Sequence, residues 1–183
     1  MPLTTKLTKA LGIKHPLIQG GMHYVGYAPL VRLENYQCQI LVLINLSKHK
    51  VAAVGNAGGI GCITALTQPS PEALQAEIQL CKKLSSKPFG VNLTLLPMLQ
   101  PPNYDAYAQV VEDEMASGQL RMIETAGHFK GLEPFVKRFK AKGAYVIHKC
   151  VTIRHAKSAE KVRNFLTQFV STAEASDGLP GGS

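Results

Sequence analysis

Five short apolar runs alternate with amphipathic stretches along the chain, and this alternation constrains the fold more than any other feature of the sequence. The runs span residues 16–22, 59–66, 89–95, 121–127 and 145–151. Each has the length of a strand, and several are apolar at consecutive positions, as strands buried on both faces are. Because parallel strands need crossover connections, the pattern predicts an α/β fold with a parallel sheet, either a barrel or a doubly wound sheet.

The stretches between the runs have the period of amphipathic helices. Ser70, Pro71 and Glu72 predict a helix start, with Ser70 as the N-cap and proline in the first turn. Two later stretches repeat the period, with apolar residues Tyr104, Tyr107, Val111 and Met115 in one and Leu132, Phe135, Val136 and Phe139 in the other. The glycine run NAGGIG at 56–61 precedes a strand, so we interpret it as a helix C-cap rather than a phosphate loop.

Length and composition favour one folded domain. The chain has 183 residues, of which 45% are apolar and 17% charged, which excludes a disordered polyampholyte and a collagen-like repeat. Its four cysteines show no C-x-x-C spacing, so they are interpreted as reduced thiols. No apolar run approaches the roughly 20 residues of a membrane span, and the N-terminus lacks a signal-peptide segment. We therefore expect a cytoplasmic protein without a membrane partner.

The positive charge is concentrated in one part of the chain. Residues 128–163 contain ten Lys and Arg residues and only Glu133 and Glu160 as acids, within a total net charge of +8. No nucleic-acid motif or row of aromatic residues accompanies these charges. Several of them lie on the polar side of a predicted helix, so we expect no nucleic-acid partner.

Polar and glycine residues gather where the predicted strands end. They are Gly20-Gly21-Met22, Thr67-Gln68, Asn92 and Thr94, Glu124-Thr125, and His148-Lys149. In a parallel α/β barrel the carboxyl ends of the strands form the ligand-binding edge. The histidines show no metal-ligand spacing, so this edge predicts a binding site without a metal.

Six motifs together resemble the nitronate monooxygenases, formerly called 2-nitropropane dioxygenases. They are QGGM (19–22), NAGGIG (56–61), TALTQPSPEAL (64–74), KPFGVNLTLLP (87–97), ETAG (124–127) and VIHKC (146–150). The resemblance covers residues 3–30 and 51–161. It implies an FMN-dependent TIM barrel that oxidises alkyl nitronates with O2, of which this chain holds about five of the eight βα units.

The same resemblance implies which residues face the flavin. By matched position, Gly21 and Met22 would lie along the ring and Asn92 would hydrogen-bond it. Lys149 would oppose the negative charge that develops on the reduced ring, because a fixed cation there stabilises an anionic flavin.

The chain also departs from the family. Residues 31–50 read as a foreign insertion, and the tail 162–183 has the composition of a disordered segment, so residues 1–161 are taken as the barrel part. The family segment DGFECAGHPGE, whose histidine is the proposed base, does not follow the fifth unit. No catalytic residue is therefore assigned, and we expect the 183-residue chain to be inactive.

Two alternatives remain open from the sequence. An FMN-dependent NADH:quinone reductase would share the same flavin-facing motifs. A non-catalytic remnant of the family would bind no flavin and would associate with itself through its open sheet edges.

Overall fold

The structure, a computed structural model, describes residues 3–21, 51–95, 101–127, 129–150 and 152–161. The strands are β1 (Ile18–Gln19), β2 (Ile60–Thr64), β3 (Phe89–Leu95), β4 (Leu120–Gly127) and β5 (Tyr145–Lys149). The helices are α1 (Lys6–Leu11), α2 (51–56), α3 (Pro71–Leu84), α4 (Tyr104–Met115), α5 (Phe129–Ala141) and α6 (Ile153–Lys161), with a 3₁₀ turn at Ala65–Thr67. The predicted insertion 31–50, the tail 162–183 and Met22 lie outside the described residues.

The strands form one five-stranded sheet in the order β1-β2-β3-β4-β5. All four neighbouring pairs are parallel, which confirms the predicted parallel sheet. Thr64, Asn92, Glu124 and Ile147 stand side by side in register across β2 to β5. These four residues therefore share one face of the sheet.

The opposite face of the sheet packs against α3, α4 and α5. Ile63, Val91, Ile123 and Val146 stand in register on this face and are all buried. They belong to one apolar cluster that also holds the inward stripes of the three helices. The helical period in the sequence thus corresponds to the face that each helix buries.

Helix α1 closes the other face of the sheet at the amino ends of the strands. Its Leu11 packs with Ile60, Met122 and Ile147 in a second, smaller apolar cluster. Thr5 caps this helix and Gly12, in the left-handed conformation, ends it. Helix α1 covers this face near the amino ends of the strands. The polar side chains of the face lie in the other half, towards the carboxyl ends of the strands.

The predicted helix boundaries at two points are confirmed. The Ser70 hydroxyl accepts a hydrogen bond from the Ala73 N–H at 3.2 Å and caps α3. Gly58, with φ +96°, follows α2, and the Gly59 N–H donates to the Val54 carbonyl at 3.0 Å. The NAGGIG run is thus a helix C-cap, as its position before a strand predicted.

The first strand is shorter than the predicted run of residues 16–22. Among the described residues of this run, only Ile18 and Gln19 pair with β2. The Gly21 N–H instead donates to the Glu124 carboxylate. The backbone hydrogen bonds between β1 and β2 end there because the Gly21 N–H bonds to the Glu124 side chain instead of to β2.

None of the helices in the described part of the chain is long and apolar enough to cross a membrane.

Candidate functional site

Glu124 lies at the centre of a polar cluster near the carboxyl ends of the strands. Its side chain points to the same face as Asn92, its register neighbour on β3. Both residues are buried, with exposed fractions of 3% and 2%. The Asn92 amide donates to Glu124 Oε1 at 2.7 Å, and Asn92 Oδ1 accepts from the Thr94 hydroxyl at 3.0 Å. Hydrogen bonds to both the nitrogen and the oxygen of its side-chain amide therefore fix the orientation of Asn92.

Lys149 brings the only positive charge among the described residues into contact with Glu124. Its ammonium group lies 2.7 Å from Glu124 Oε1, and the lysine side chain is 31% exposed whereas that of Glu124 is 4% exposed. Glu124 is thus the buried partner, and Lys149 is the partner whose side chain solvent or a ligand can reach. Charged donors make the strongest hydrogen bonds to a carboxylate.

The Gly20-Gly21 segment supplies a third strand end to the cluster. The Gly21 N–H lies 3.2 Å from Glu124 Oε2 and 3.3 Å from Oε1. A Cβ on Gly21 would lie 2.7 Å from Asn92 Cγ, and one on Gly20 would lie 3.0 Å from Glu124 Oε2. Gly21 needs to be glycine because the backbone passes directly against Asn92, and the contact at Gly20 is also tight.

We refer to Gly21, Asn92, Glu124 and Lys149 as the rim cluster. Gly21 follows β1, Asn92 and Glu124 lie within β3 and β4, and Lys149 ends β5. Three hydrogen-bond donors, a backbone amide, a side-chain amide and an ammonium group, converge in it on one carboxylate.

His148, next to Lys149, points to the opposite face of β5. The Thr125 hydroxyl lies 3.0 Å from its Nδ1 and 3.2 Å from the Ile147 carbonyl oxygen, to which it donates. Burial, and to a smaller extent the nearby charge of His155, lowers the pKa of His148 from its ordinary value of 6.5. His148 is therefore a buried residue of the helix-covered face, whereas Lys149 belongs to the rim cluster.

The structure brings together three of the four residues that the sequence assigned to the site. Gly21, Asn92 and Lys149 meet in the rim cluster, while Met22 lies outside the described residues. Their contact with FMN stays a prediction. Glu124 was noted as a strand-end residue but not assigned to the site; its signal is a single acid within the buried strand LRMIETAG, where an unpaired charge would be costly.

One residue of the rim cluster fits the chemistry of a flavin ring. The pyrimidine side of the ring carries carbonyl and nitrogen acceptors, which an ammonium group complements. The Gly21 N–H and the Asn92 amide already donate to Glu124, whereas the Lys149 ammonium has three N–H groups and a partly exposed side chain, so Lys149 is the residue that would hold the ring. Asn92, which is 2% exposed, is placed to orient Glu124.

A separate open cavity of about 390 Å³ lies at the opposite end of the sheet, where its lining includes Arg121, Lys142 and Tyr145. Ligands of parallel barrels bind at the carboxyl ends of the strands. The rim cluster, rather than this cavity, is therefore the candidate site.

Comparison with a solved structure identifies the fold. The chain superimposes on a FabK point mutant from Thermotoga maritima with a TM-score of 0.62 and 23% sequence identity, over 87% of this chain and 43% of that one. The five parallel strands and their helices are thus part of a TIM barrel, as the resemblance implied.

Two curated relatives show the range of proteins that this chain is similar to. It is 37% identical over 93 residues to (3aS,4S,5R,7aS)-5-hydroxy-7a-methyl-1-oxo-octahydro-1H-indene-4-carboxyl-CoA dehydrogenase of Mycobacterium tuberculosis, which is 51% of this chain and 20% of that protein. It is 33% identical over 110 residues to a probable nitronate monooxygenase of Staphylococcus haemolyticus, which is 60% of this chain and 23% of that protein. The match thus spans about a fifth of each relative.

The family model of nitronate monooxygenases matches residues 46–173, which is more than half of the chain. This match includes four of the five strands and the rim residues Asn92, Glu124 and Lys149. The chain therefore belongs to the nitronate monooxygenase family.

Proposed function

We propose that the rim cluster is the ring-facing side of an FMN site, and that the protein is an oxidoreductase acting on alkyl nitronates with O2. The observation that carries this proposal is the partly exposed Lys149 at the end of β5, held by the buried Glu124 beside Gly21 and Asn92 on the side of the sheet where barrels of this type bind ligands. Family membership supports an oxidoreductase with a flavin cofactor.

Bound FMN would supply the electron-transfer chemistry, taking electrons from the substrate and passing them to O2. The residues of this chain would bind the flavin ring and fix its orientation. Gly20 and Gly21 leave room for Glu124 and Asn92, and Lys149, whose side chain is partly exposed, supplies the charge on the ring side of the cluster. Asn92 and Glu124 lie beneath these groups and fix their positions.

The resemblance assigns the phosphate of FMN to glycine-rich loops of later strands, and the 183 residues of this chain do not contain the family segment that leads to them. A charge-assisted hydrogen bond contributes about 1.5–3 kcal/mol. Without several such bonds, the 183-residue chain would hold FMN too weakly to retain it through purification.

A pair of chains tests this proposal. The first is the 183-residue chain; the second lacks residues 31–50 and continues beyond Lys161 with the remaining barrel of the family. We expect the first to purify colourless and to consume no O2 with propyl-2-nitronate, and the second to purify yellow and to turn over. A yellow, nitronate-oxidising preparation of the first chain would show that the later strands are dispensable.

The substrate is tested on the same extended chain. Oxidation of NADH by a quinone, without O2 uptake on nitronate, would favour the quinone reductase alternative. An extended chain that folds but binds no flavin would favour the non-catalytic remnant.

A further inference from the structure

The charges that face the concave side of the sheet are balanced within the described strands. Among the inward-facing positions of β2 to β5, only Glu124 and Lys149 carry charged side chains, and the two form an ion pair at 2.7 Å. Glu124 also receives hydrogen bonds from the Asn92 amide and the Gly21 N–H. The position of the lysine ammonium is therefore set by a carboxylate that is itself fixed from two other strands.

We infer that Glu124 is a positioning residue that holds Lys149 and cancels its charge, so that the rim presents a neutral ion pair to a bound flavin instead of a lone cation. This inference rests on the proposed flavin site and specifies its electrostatics. It differs from the sequence-based expectation, in which Lys149 alone opposes the charge of a reduced ring.

The burial of the pair supports this role. The Glu124 side chain is 4% exposed, so water screens its interaction with Lys149 only weakly. Because the two charged groups lie 2.7 Å apart, a ligand at the rim would be influenced by the sum of their charges. An ion pair has a far smaller effect on a distant charge than a single ammonium group has.

The geometry also makes Glu124 decisive for where the ammonium lies. The Lys149 side chain has several rotatable bonds and is 31% exposed, so without a partner it would extend into solvent. Its second contact in the cluster, the Gly21 carbonyl oxygen, is at 3.5 Å, which is long for a hydrogen bond. Glu124 is thus the contact that keeps Lys149 at the rim.

Four forms of the chain separate the charge from the structural role: the unchanged chain, Glu124→Gln, Lys149→Met, and the double variant. The net charge of positions 124 and 149 in these four forms is 0, +1, −1 and 0, respectively. Each is saturated with FMN and titrated with sulfite, which adds to the oxidised ring and leaves it negatively charged. The readout is the loss of flavin absorbance, which does not depend on turnover.

We expect Glu124→Gln to bind sulfite about tenfold more tightly than the unchanged chain, because the glutamine amide oxygen still accepts from the Lys149 ammonium but no longer cancels its charge. Lys149→Met should bind it more weakly than the unchanged chain, and the double variant should return to the unchanged affinity. A purely structural role for Glu124 predicts instead that no variant binds sulfite more tightly. That result, with FMN bound, would overturn the inference while leaving the flavin site intact.

Glu114→Gln is the matched control. Glu114 is also a buried carboxylate paired with a lysine, Lys82, but it lies between α3 and α4, away from the rim. We expect this variant to lower the free energy of unfolding and to leave the sulfite affinity of the bound flavin unchanged. If the unchanged chain cannot be saturated with FMN at any concentration, the proposed flavin site fails and the inference fails with it.

Discussion

The ammonium group of Lys149 lies 3.5 Å from the carbonyl oxygen of Gly21, although Lys149 ends β5 and Gly21 follows β1, the strands at opposite edges of the five-stranded sheet. In a flat sheet those edges would be about 19 Å apart, beyond the reach of a lysine side chain. The sheet is therefore curled as a barrel wall is, and the ends of β1 and β5 face the same ligand position.

Gly21→Ala should disrupt the rim cluster. The new Cβ would lie 2.7 Å from Asn92 Cγ, so either the backbone or Asn92 must move. We expect a loss of about 1–3 kcal/mol in the free energy of unfolding, measured by urea denaturation. Gly131→Ala is the control: a Cβ there meets only Leu95 at 3.8 Å, and in helix α5 it should stabilise by about 0.5–1 kcal/mol. Equal effects of the two changes would contradict the close packing at Gly21.

Asn92→Asp should be strongly destabilising although the two side chains have nearly the same shape. It retains the acceptor for Thr94 but replaces the amide that donates to Glu124 at 2.7 Å with a second carboxylate oxygen. We expect a loss of about 3 kcal/mol or more at neutral pH, since two buried carboxylates then face each other and the Lys149 ammonium can balance only one of them. In Asn56→Asp, at an exposed residue whose Oδ1 accepts from Ser85, the acceptor is preserved and stability should change little.

Acid should destabilise the fold through His148. Burial lowers the pKa of this residue in the folded state below 6.5, so the unfolded chain binds a proton at a higher pH than the folded chain does. The stability contributed by neutral His148 is present above about pH 6.5 and is lost as the pH falls through the lowered pKa. Urea denaturation between about pH 7 and pH 5 should show a shallower loss for His148→Gln than for the unchanged chain. If the free energy of unfolding fell equally steeply with pH in the two proteins, His148 would not be the source of the acid sensitivity.

Deleting residues 31–50 should improve solubility, because the run ILVLI within them is a β-prone apolar segment. These residues lie outside the described part of the chain, so this stays a sequence prediction. The soluble fraction after expression is the measurement. An unchanged or lower soluble fraction would count against an accidental insertion.

Much of the fold could be predicted from the sequence, because strand length, helical period and caps are local properties. The start of α3 at Ser70 and the parallel sheet follow from such patterns. The centre of the site could not be predicted in the same way. The pairing of Glu124 with Asn92 depends on strand register, and its contact with Lys149 depends on the reach of a side chain across a curled sheet. The early end of β1 has the same origin, since the Gly21 N–H is taken by Glu124.

The central claim is that the rim cluster binds the ring of a flavin, and a titration with two flavins tests it most directly. Lumiflavin carries the ring without the ribityl phosphate, so a chain that supplies only ring contacts should bind lumiflavin and FMN with affinities within about threefold of each other. Quenching of flavin fluorescence measures the affinities of the 183-residue chain for both flavins. Gly21→Ala should weaken both at least about tenfold, whereas Glu114→Gln should weaken neither. Binding of neither flavin, or binding that Gly21→Ala leaves unchanged, would contradict the assignment of the rim cluster as the flavin site.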